Sequence, residues 1–476
     1  MLHPLVVDLD GSIISTDMLH ESALRAFRHH PLDLFRIPLW LFKGKAALKR
    51  ILASRAAFDP ESLPYNQELL TWLRQQKADG RTLVLCTASD RSIADAVAAH
   101  LGIFDEVIAS DGSVNLAGRS KAELLERRFG HSGFDYVGNS CADLAVWERA
   151  NRAVVVNASA DLTKRVETVC KVQQVFSREL LGLMTFLSVL RVHQWLKNLL
   201  LFVPVIAAHQ MMVTDKLATL VFAFFSFSIC ASAVYIINDL FDLESDRQHL
   251  HKRARPFASG QVPVWMGVAL VPLLLAASLI LGMYAGHHFI GWLAFYFLVT
   301  CAYSWGIKRL VLLDCLALAM LYTLRIIAGA AAAGLAMSFW LLAFSIFLFL
   351  SLAFVKRYAE LALQRLSGKE RTHGRGYLTS DAPMIQALGI PSGYASVLVL
   401  ALYINSDAVV RIYRVPEYIW GAVPIMLFWV SWMWMQAHRG NMHDDPLVFA
   451  VKDKTSLLCG LAFAMVVLIG TVGWTW

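Results

Sequence analysis

From about residue 181 to the end, apolar stretches long enough to cross a bilayer recur with short polar interruptions. A hydrocarbon core about 30 Å thick takes roughly 20 apolar residues as helix, since no water is there to satisfy an exposed backbone. Such stretches fall near 196–209, 217–237, 262–283, 287–304, 310–333, 338–355, 384–404, 416–436 and 456–476. An all-α polytopic domain of about nine transmembrane helices is therefore expected over residues 183–476. Residues 1–178 read instead as an ordinary α/β domain with short apolar runs bounded by turn residues. The overall 57% hydrophobic and 17% charged content is thus an average over two domains in two solvents.

The polar interruptions differ in charge. The loops after the second, fourth, sixth and eighth stretches carry four, two, six and three Lys or Arg residues, including Arg247, Lys252, Arg253 and Arg255. The opposite loops carry Lys216, Arg411 and Arg414. Positive loops stay cytoplasmic, so the sequence predicts an inner-membrane, multi-pass protein with a cytosolic N-terminal domain and its C-terminus outside. The net charge of +7 follows from this loop bias, and no basic run interleaved with aromatics points to nucleic acid. The seven cysteines are scattered without a CxxC pair, which argues against a disulfide framework or a zinc site.

Topology explains basic loops but not acids. Directly after the second stretch stands "NDLFDLESDRQHLHKRARPFASG", with Asp239, Asp242 and Asp246 spaced three and four apart. On a helix that spacing gathers the carboxylates on one face, where they repel unless a cation sits among them. Carboxylates with substrate phosphates suit Mg²⁺, and the cations that follow suit phosphate oxygens. A solvated acidic loop is the plainer alternative. Lys197, Asp314, Arg325, Lys356, Arg357 and Glu360 add ionisable groups at or near membrane depth, where charge is costly and commonly functional.

The NDxxDxxxD pattern, with "RVHQWLKNLLLFVP", "YSWGIKRLVLLDCLALAMLYTLRIIAGAAAAG" and "FVKRYAEL", resembles the UbiA superfamily of intramembrane prenyltransferases. Within it the likeness is greatest to decaprenyl-phosphate phosphoribosyltransferases. The resemblance implies Mg²⁺-dependent transfer of 5-phosphoribose from phosphoribosyl pyrophosphate to a polyprenyl phosphate, in cell-envelope biosynthesis. It implies that Asp239, Asp242 and Asp246 hold the metal, that Lys197, Arg255, Arg325, Lys356 and Arg357 place phosphates, and that Asn238 and Tyr358 orient the ribose. Aromatic prenyltransferases of the superfamily carry a second aspartate-rich motif; the corresponding "KRYAELALQRLSGKERTHGRGY" has Glu360 and Glu370 but no Asp pair. A prenyltransferase using a polyprenyl diphosphate and an aromatic or other acceptor, with a degenerate N-terminal domain, is the alternative, and the missing Asp pair opposes it. A transporter is a third class, opposed by the clustering of charge on one side.

In the N-terminal half, "PLVVDLDGSI", "RTLVLCTASD", "GRSKAELL" and "FDYVGNSCADLAVW" place Asp8, Asp10, Thr87, Lys121 and Asp143 at strand ends or a helix start. Alternating strand and helix patterns predict a Rossmann-like parallel sheet with its ligand at the strand C-terminal ends. The set resembles the haloacid dehalogenase superfamily. The resemblance implies Asp8 as nucleophile, Asp10 as general acid–base, Thr87 and Lys121 as phosphoryl ligands, and Mg²⁺ held by Asp8, Asp10 and Asp143. Residues about 14–75 read as a helical cap, whose apolar "LFRIPLWLF" could instead lie on the bilayer surface. The usual Gly-Asp of the fourth motif is here Gly138-Asn139, so a degenerate, regulatory domain is the alternative to an active phosphatase.

Overall fold

A computed structural model gives the structure of the chain and describes residues 3–30, 33, 36–42, 44–55, 58–112, 114–177, 182–211, 213–249, 252–366, 375–406, 413–442 and 445–472. It divides into two units. One comprises Met1–Val189 together with Ile236–Leu270; the other comprises Leu190–Tyr235 with Val271–Trp476. The expectation on Glu370 falls outside the described residues.

The first unit is built on six strands: β1 (Leu5–Val7), β2 (Leu83–Asp90), β3 (Glu106–Ser110), β4 (Asp135–Gly138), β5 (Arg152–Val156) and β6 (Lys171–Phe176). All pair in parallel, in the order β3-β2-β1-β4-β5-β6. Side chains alternate across a strand, so Leu5 and Val7 enter one core with Leu85 and Val137, while Val6 enters the other with Val84 and Tyr136. Both faces of the central strands are buried, as in parallel sheets generally. Strand order reverses at β1, which opens a crevice beyond its C-terminal end. Asp8 is the first residue past that end.

Helices α1 (Met18–His29), α2 (Lys45–Arg55), α3 (Gln67–Ala78), α4 (Arg91–Leu101), α5 (Arg119–Phe129) and α6 (Ala160–Val169) belong to this part, with short helices at Ile37–Phe42 and Leu144–Trp147. Ala26, Trp40, Leu48 and Leu52 form a small separate core, the body of the expected cap. Leu69, Leu70 and Leu73 of α3 instead pack into the sheet core, so the separate cap core ends short of residue 75. Beside buried Trp40, Leu39, Leu41 and Phe42 are exposed.

The membrane part contains α7 (Leu183–Val189), α8 (Thr214–Phe241), α9 (Leu243–Arg247), α10 (Val264–Ala285), α11 (His287–Trp305), α12 (Leu313–Ala332), α13 (Phe339–Leu366), α14 (Ala382–Ile404), α15 (Ala422–His438), α16 (Pro446–Lys452) and α17 (Lys454–Val472). The expected nine spans become, among the described residues, seven helices long and apolar enough to cross a membrane, or eight if the bent pair Leu183–Val189 and Val192–Ala207 counts as one. Two of the nine differ for physical reasons. Near 196–209 the chain winds mainly as a 3₁₀ helix, Val192–Phe202, before a short α-turn. Helix α11 forms at 19 residues but is not among the seven; polar groups stand at its His287-His288 start and its Tyr303-Ser304-Trp305 end.

Helix α8 has 28 residues, about 42 Å at 1.5 Å per residue. That exceeds the hydrocarbon thickness by about two turns, and Asn238 and Asp239 fall in its last turn. Within the second unit, Gly329 lets α12 meet the 3₁₀ segment at backbone distance: a Cβ there would fall 2.0 Å from the Leu201 carbonyl oxygen. This contact seats Lys197 and Asn198 against α12.

Candidate active sites

At the end of β1, Lys121 of α5 donates to Asp8 Oδ1 at 2.7 Å and to the Tyr136 hydroxyl at 2.9 Å. Tyr136 donates in turn to Asp143 Oδ1 at 2.8 Å. Asp10 accepts from Ser89 Oγ at 2.6 Å, from the Met18 amide at 2.9 Å and from Thr87 Oγ1 at 3.5 Å. The sheet thus brings together Asp8, Asp10, Thr87, Lys121 and Asp143. Burial pushes the Asp8 carboxyl up to about 7, against the pull of Lys121, with Asp143 and Asp10 adding to the rise. Burial and then Asp17 push Asp10 up as well. The Lys121 ammonium is desolvated, yet Asp8 and Asp143 hold it charged. A nucleophile kept beside a cation and a second carboxyl whose pKa is raised by burial suit the two steps of phosphomonoester cleavage.

Asp143 is also hydrogen-bonded within its own turn. Its Oδ2 accepts from the Asn139 amide, the Ser140 amide and Ser140 Oγ at 3.2, 3.0 and 2.8 Å. Tyr136 is the donor on Oδ1, with the Lys121 ammonium 3.9 Å away, so Asp143 also positions Lys121. Asn139, neutral, lies against Gly11, whose φ of 75° places it where a Cβ would fall 2.0 Å from Asn139 Nδ2. A polar cleft of about 480 Å³ opens beside Asp10, lined also by Asn66, Asn139, Asn157, Gln261 and Trp265.

The acid loop of the same unit is less regular than a single helix. Helix α8 ends at Phe241, Asp242 leaves helical geometry with φ −98° and ψ 10°, and α9 resumes at Leu243. The hydrogen-bond register survives, with the Asp242 amide to Asn238 and the Asp246 amide to Asp242 at 2.9 and 2.7 Å. Arg255 bridges two of the acids, reaching Asp239 at 3.2 Å and Asp246 at 2.5 Å. Burial raises the Asp246 carboxyl, and Arg255 opposes that rise. Arg255 is therefore a partner of the acids in this structure. Among the described residues no three His, Cys, Asp or Glu side chains converge as a metal site. The donor chemistry still fits Mg²⁺: Asp239 and Asp246 offer hard carboxylate oxygens, and Asn238 Oδ1 is buried without a hydrogen-bond partner.

In the second unit, Lys197 and Lys356 meet on one carboxylate, Asp445, at 2.8 and 3.1 Å, and Tyr322 donates to both of its oxygens at 2.9 Å. Asp445 also caps the start of α16. Burial would raise its pKa, but Lys356 and Lys197 hold it well below the usual carboxylate range. Sequence reasoning missed Asp445, Tyr322 and Asn198. The readable signal was Asp445-Pro446, a helix cap followed by proline at the first helical position. Arg325 is fully engaged: Nε donates to Asn198 at 2.9 Å, Nη2 to Tyr296 at 3.2 Å and Nη1 to the Leu321 carbonyl, among the rings of Phe227, Tyr296 and Tyr322.

Two expected substrate contacts lie elsewhere. Arg357 pairs with Asp314 and Glu360, and Tyr377 donates to Asp314; the Arg357 and Asp314 side chains are both 0% exposed. A guanidinium so enclosed ties α12 to α13 and is not placed to hold a phosphate. Tyr358 is hydrogen-bonded to His438 Nδ1 at 2.9 Å and packs on Trp434.

Residues 199–452 match the model of the UbiA prenyltransferase family, and residues 5–146 match that of haloacid dehalogenase-like hydrolases. An uncharacterized protein of Sinorhizobium fredii, y4nM, is 39% identical over 97% of this chain and 90% of its own. The nodulation protein NoeC of Azorhizobium caulinodans is 38% identical over 60% of this chain and 94% of its own. Decaprenyl-phosphate phosphoribosyltransferase of Mycolicibacterium smegmatis is 32% identical over 60% of this chain and 91% of its own. With its long apolar helices, its parallel-sheet domain and these matches, the chain is a polytopic membrane enzyme of the UbiA prenyltransferase family, fused to an N-terminal haloacid dehalogenase-like hydrolase domain.

Proposed function

We propose that the membrane domain, taken as residues 183–476, transfers 5-phosphoribose from phosphoribosyl pyrophosphate to a polyprenyl phosphate, and that residues 1–178 then remove the 5-phosphate. The observation that carries this reading is the meeting of Lys197 and Lys356 on Asp445. Two ammonium groups from distant parts of the sequence share one carboxylate, and substrate phosphate oxygens are the natural replacement for it. The M. smegmatis relative, matched over 91% of its length, supports a polyprenyl phosphate acceptor. Asp445 is a single carboxylate beside two lysines, which favours phosphate binding over a second acid cluster for a prenyl diphosphate donor.

In the transfer, an oxygen of the lipid phosphate bonds to ribose C1 as the C1–O bond to pyrophosphate breaks, its electron pair leaving with pyrophosphate. The attacking oxygen is already anionic and needs no strong base. Asp239, Asp242 and Asp246, with Asn238, would hold Mg²⁺, which when bound supplies charge stabilisation for the departing pyrophosphate. Lys197 and Lys356 hold phosphates. Arg325 fixes Asn198 beside Lys197. In the N-terminal domain Asp8 attacks phosphorus, Asp10 protonates the leaving alkoxide, and Asp10 then takes a proton from the water that frees the aspartyl-phosphate. Lys121 balances the charge on the phosphoryl group.

Membranes containing the full chain, offered labelled phosphoribosyl pyrophosphate with polyprenyl phosphate, should yield labelled lipid. Lipid formation from a labelled polyprenyl diphosphate and an aromatic acceptor alone would overturn the assignment.

A further inference from the structure

Within the first unit, the acid loop is held by the hydrolase domain through a buried ion pair. Arg247, directly after Asp246, donates from Nη1 and Nη2 to the two carboxylate oxygens of Glu21 at 3.0 and 2.6 Å. Its Nε donates to the Ala258 carbonyl at 2.9 Å. The side chains are 4% and 1% exposed. Contacts on either side extend the grip: Arg28 of α1 donates to the Phe241 carbonyl, the Phe27 and Phe241 rings lie 5.9 Å apart, and a Cβ on Gly260 would fall 2.6 Å from Ser15 Cβ. The loop is thus met at its start, middle and end by residues 15–28.

One guanidinium here performs two tasks. Its fork on Glu21 fixes the orientation of α9, because a bidentate carboxylate pair tolerates little rotation. Its Nε ties α9 to the returning strand of the loop, which carries Arg255, and Arg255 holds Asp239 and Asp246. We propose that Glu21, a residue of the hydrolase domain, is a positioning residue for the transferase: through Arg247 it sets where Asp239 and Asp246 stand. The proposal rests on the transferase reading above. It assigns the N-terminal domain a role in the membrane reaction that is independent of its own hydrolytic chemistry.

The test uses the full chain in membranes, with Glu21→Gln and Arg247→Lys, which keeps the charge and loses the fork. Displacements of about 1 Å remote from the chemistry can cost on the order of a hundredfold. Each variant should lose between about tenfold and a hundredfold in kcat for lipid labelling. Hydrogen exchange should rise over residues 238–260, while β1, β2 and β4 keep their protection. Wild-type kinetics with unchanged exchange in Glu21→Gln would overturn the proposal, as would loss of protection throughout the sheet. If the wild type makes no labelled lipid, the transferase reading fails; the exchange measurement then decides separately whether Glu21 holds the segment.

Discussion

Replacing Asp445 by Asn removes one charge and almost no volume, so its consequences are electrostatic. Lys197 and Lys356 meet on the same Asp445 oxygen at 2.8 and 3.1 Å, which keeps their ammonium groups within about 6 Å of each other. At that separation two like charges repel by about 3 kcal/mol at an effective dielectric of 20. Losing one partner of a buried pair typically costs about 3–5 kcal/mol, and the Lys197 and Asp445 side chains are 9% and 7% exposed. The expected result for Asp445→Asn is a fall in the thermal unfolding midpoint of about 10 °C in detergent, followed by intrinsic fluorescence. Adding Lys197→Met should recover part of the loss, since the second substitution removes a stranded cation, and the double-mutant cycle isolates the coupling. An Asp445→Asn midpoint within a degree of wild type, or a double variant less stable than the sum of the singles, would refute the reasoning.

Further outcomes follow from other contacts. Arg357→Met should destabilise by about 3 kcal/mol because it removes the nearest cation of Asp314, leaving Arg375 at 3.5 Å, and KM for the folded fraction should stay at the wild-type value. Gly329→Ala should cost about 1–3 kcal/mol by overpacking and lower kcat, since the Leu201 backbone must retreat from the added carbon. Glu21 is pushed up by burial, but Arg247 holds it below its ordinary 4.5. The stability gap between wild type and Glu21→Gln should therefore be full above the carboxyl's ordinary 4.5 and shrink as pH falls through its lowered folded-state pKa, where Glu21 itself protonates.

The two halves were legible in the sequence to different depths. Strand ends placed Asp8, Asp10, Thr87 and Lys121 together because a parallel sheet leaves few choices for where such residues go. What stayed hidden there was the use of Asp143, since hydrogen bonds to Ser140 and Tyr136 depend on local turn geometry and not on spacing. In the membrane half, apolar length revealed the long helices but not the 3₁₀ winding of Val192–Phe202. Charged residues could be recognised as costly, yet their partners could not be read. Arg325 and Arg357 looked alike, and only packing separates a guanidinium beside Asn198 from one closed on Asp314. Asp445 escaped notice because one aspartate before a proline reads as a helix cap, which it also is. The acid motif was read as one helical face; Asp242 interrupts that helix, and Arg255 stands between two of the acids.

The most direct test is the mass of the lipid made from phosphoribosyl pyrophosphate and polyprenyl phosphate with Mg²⁺, by the wild type and by Asp8→Asn. The wild type should accumulate polyprenyl-phosphoryl ribose, and Asp8→Asn the same lipid with one more phosphate. No lipid product, or the same product from both proteins, would contradict a transferase feeding a phosphatase in one chain.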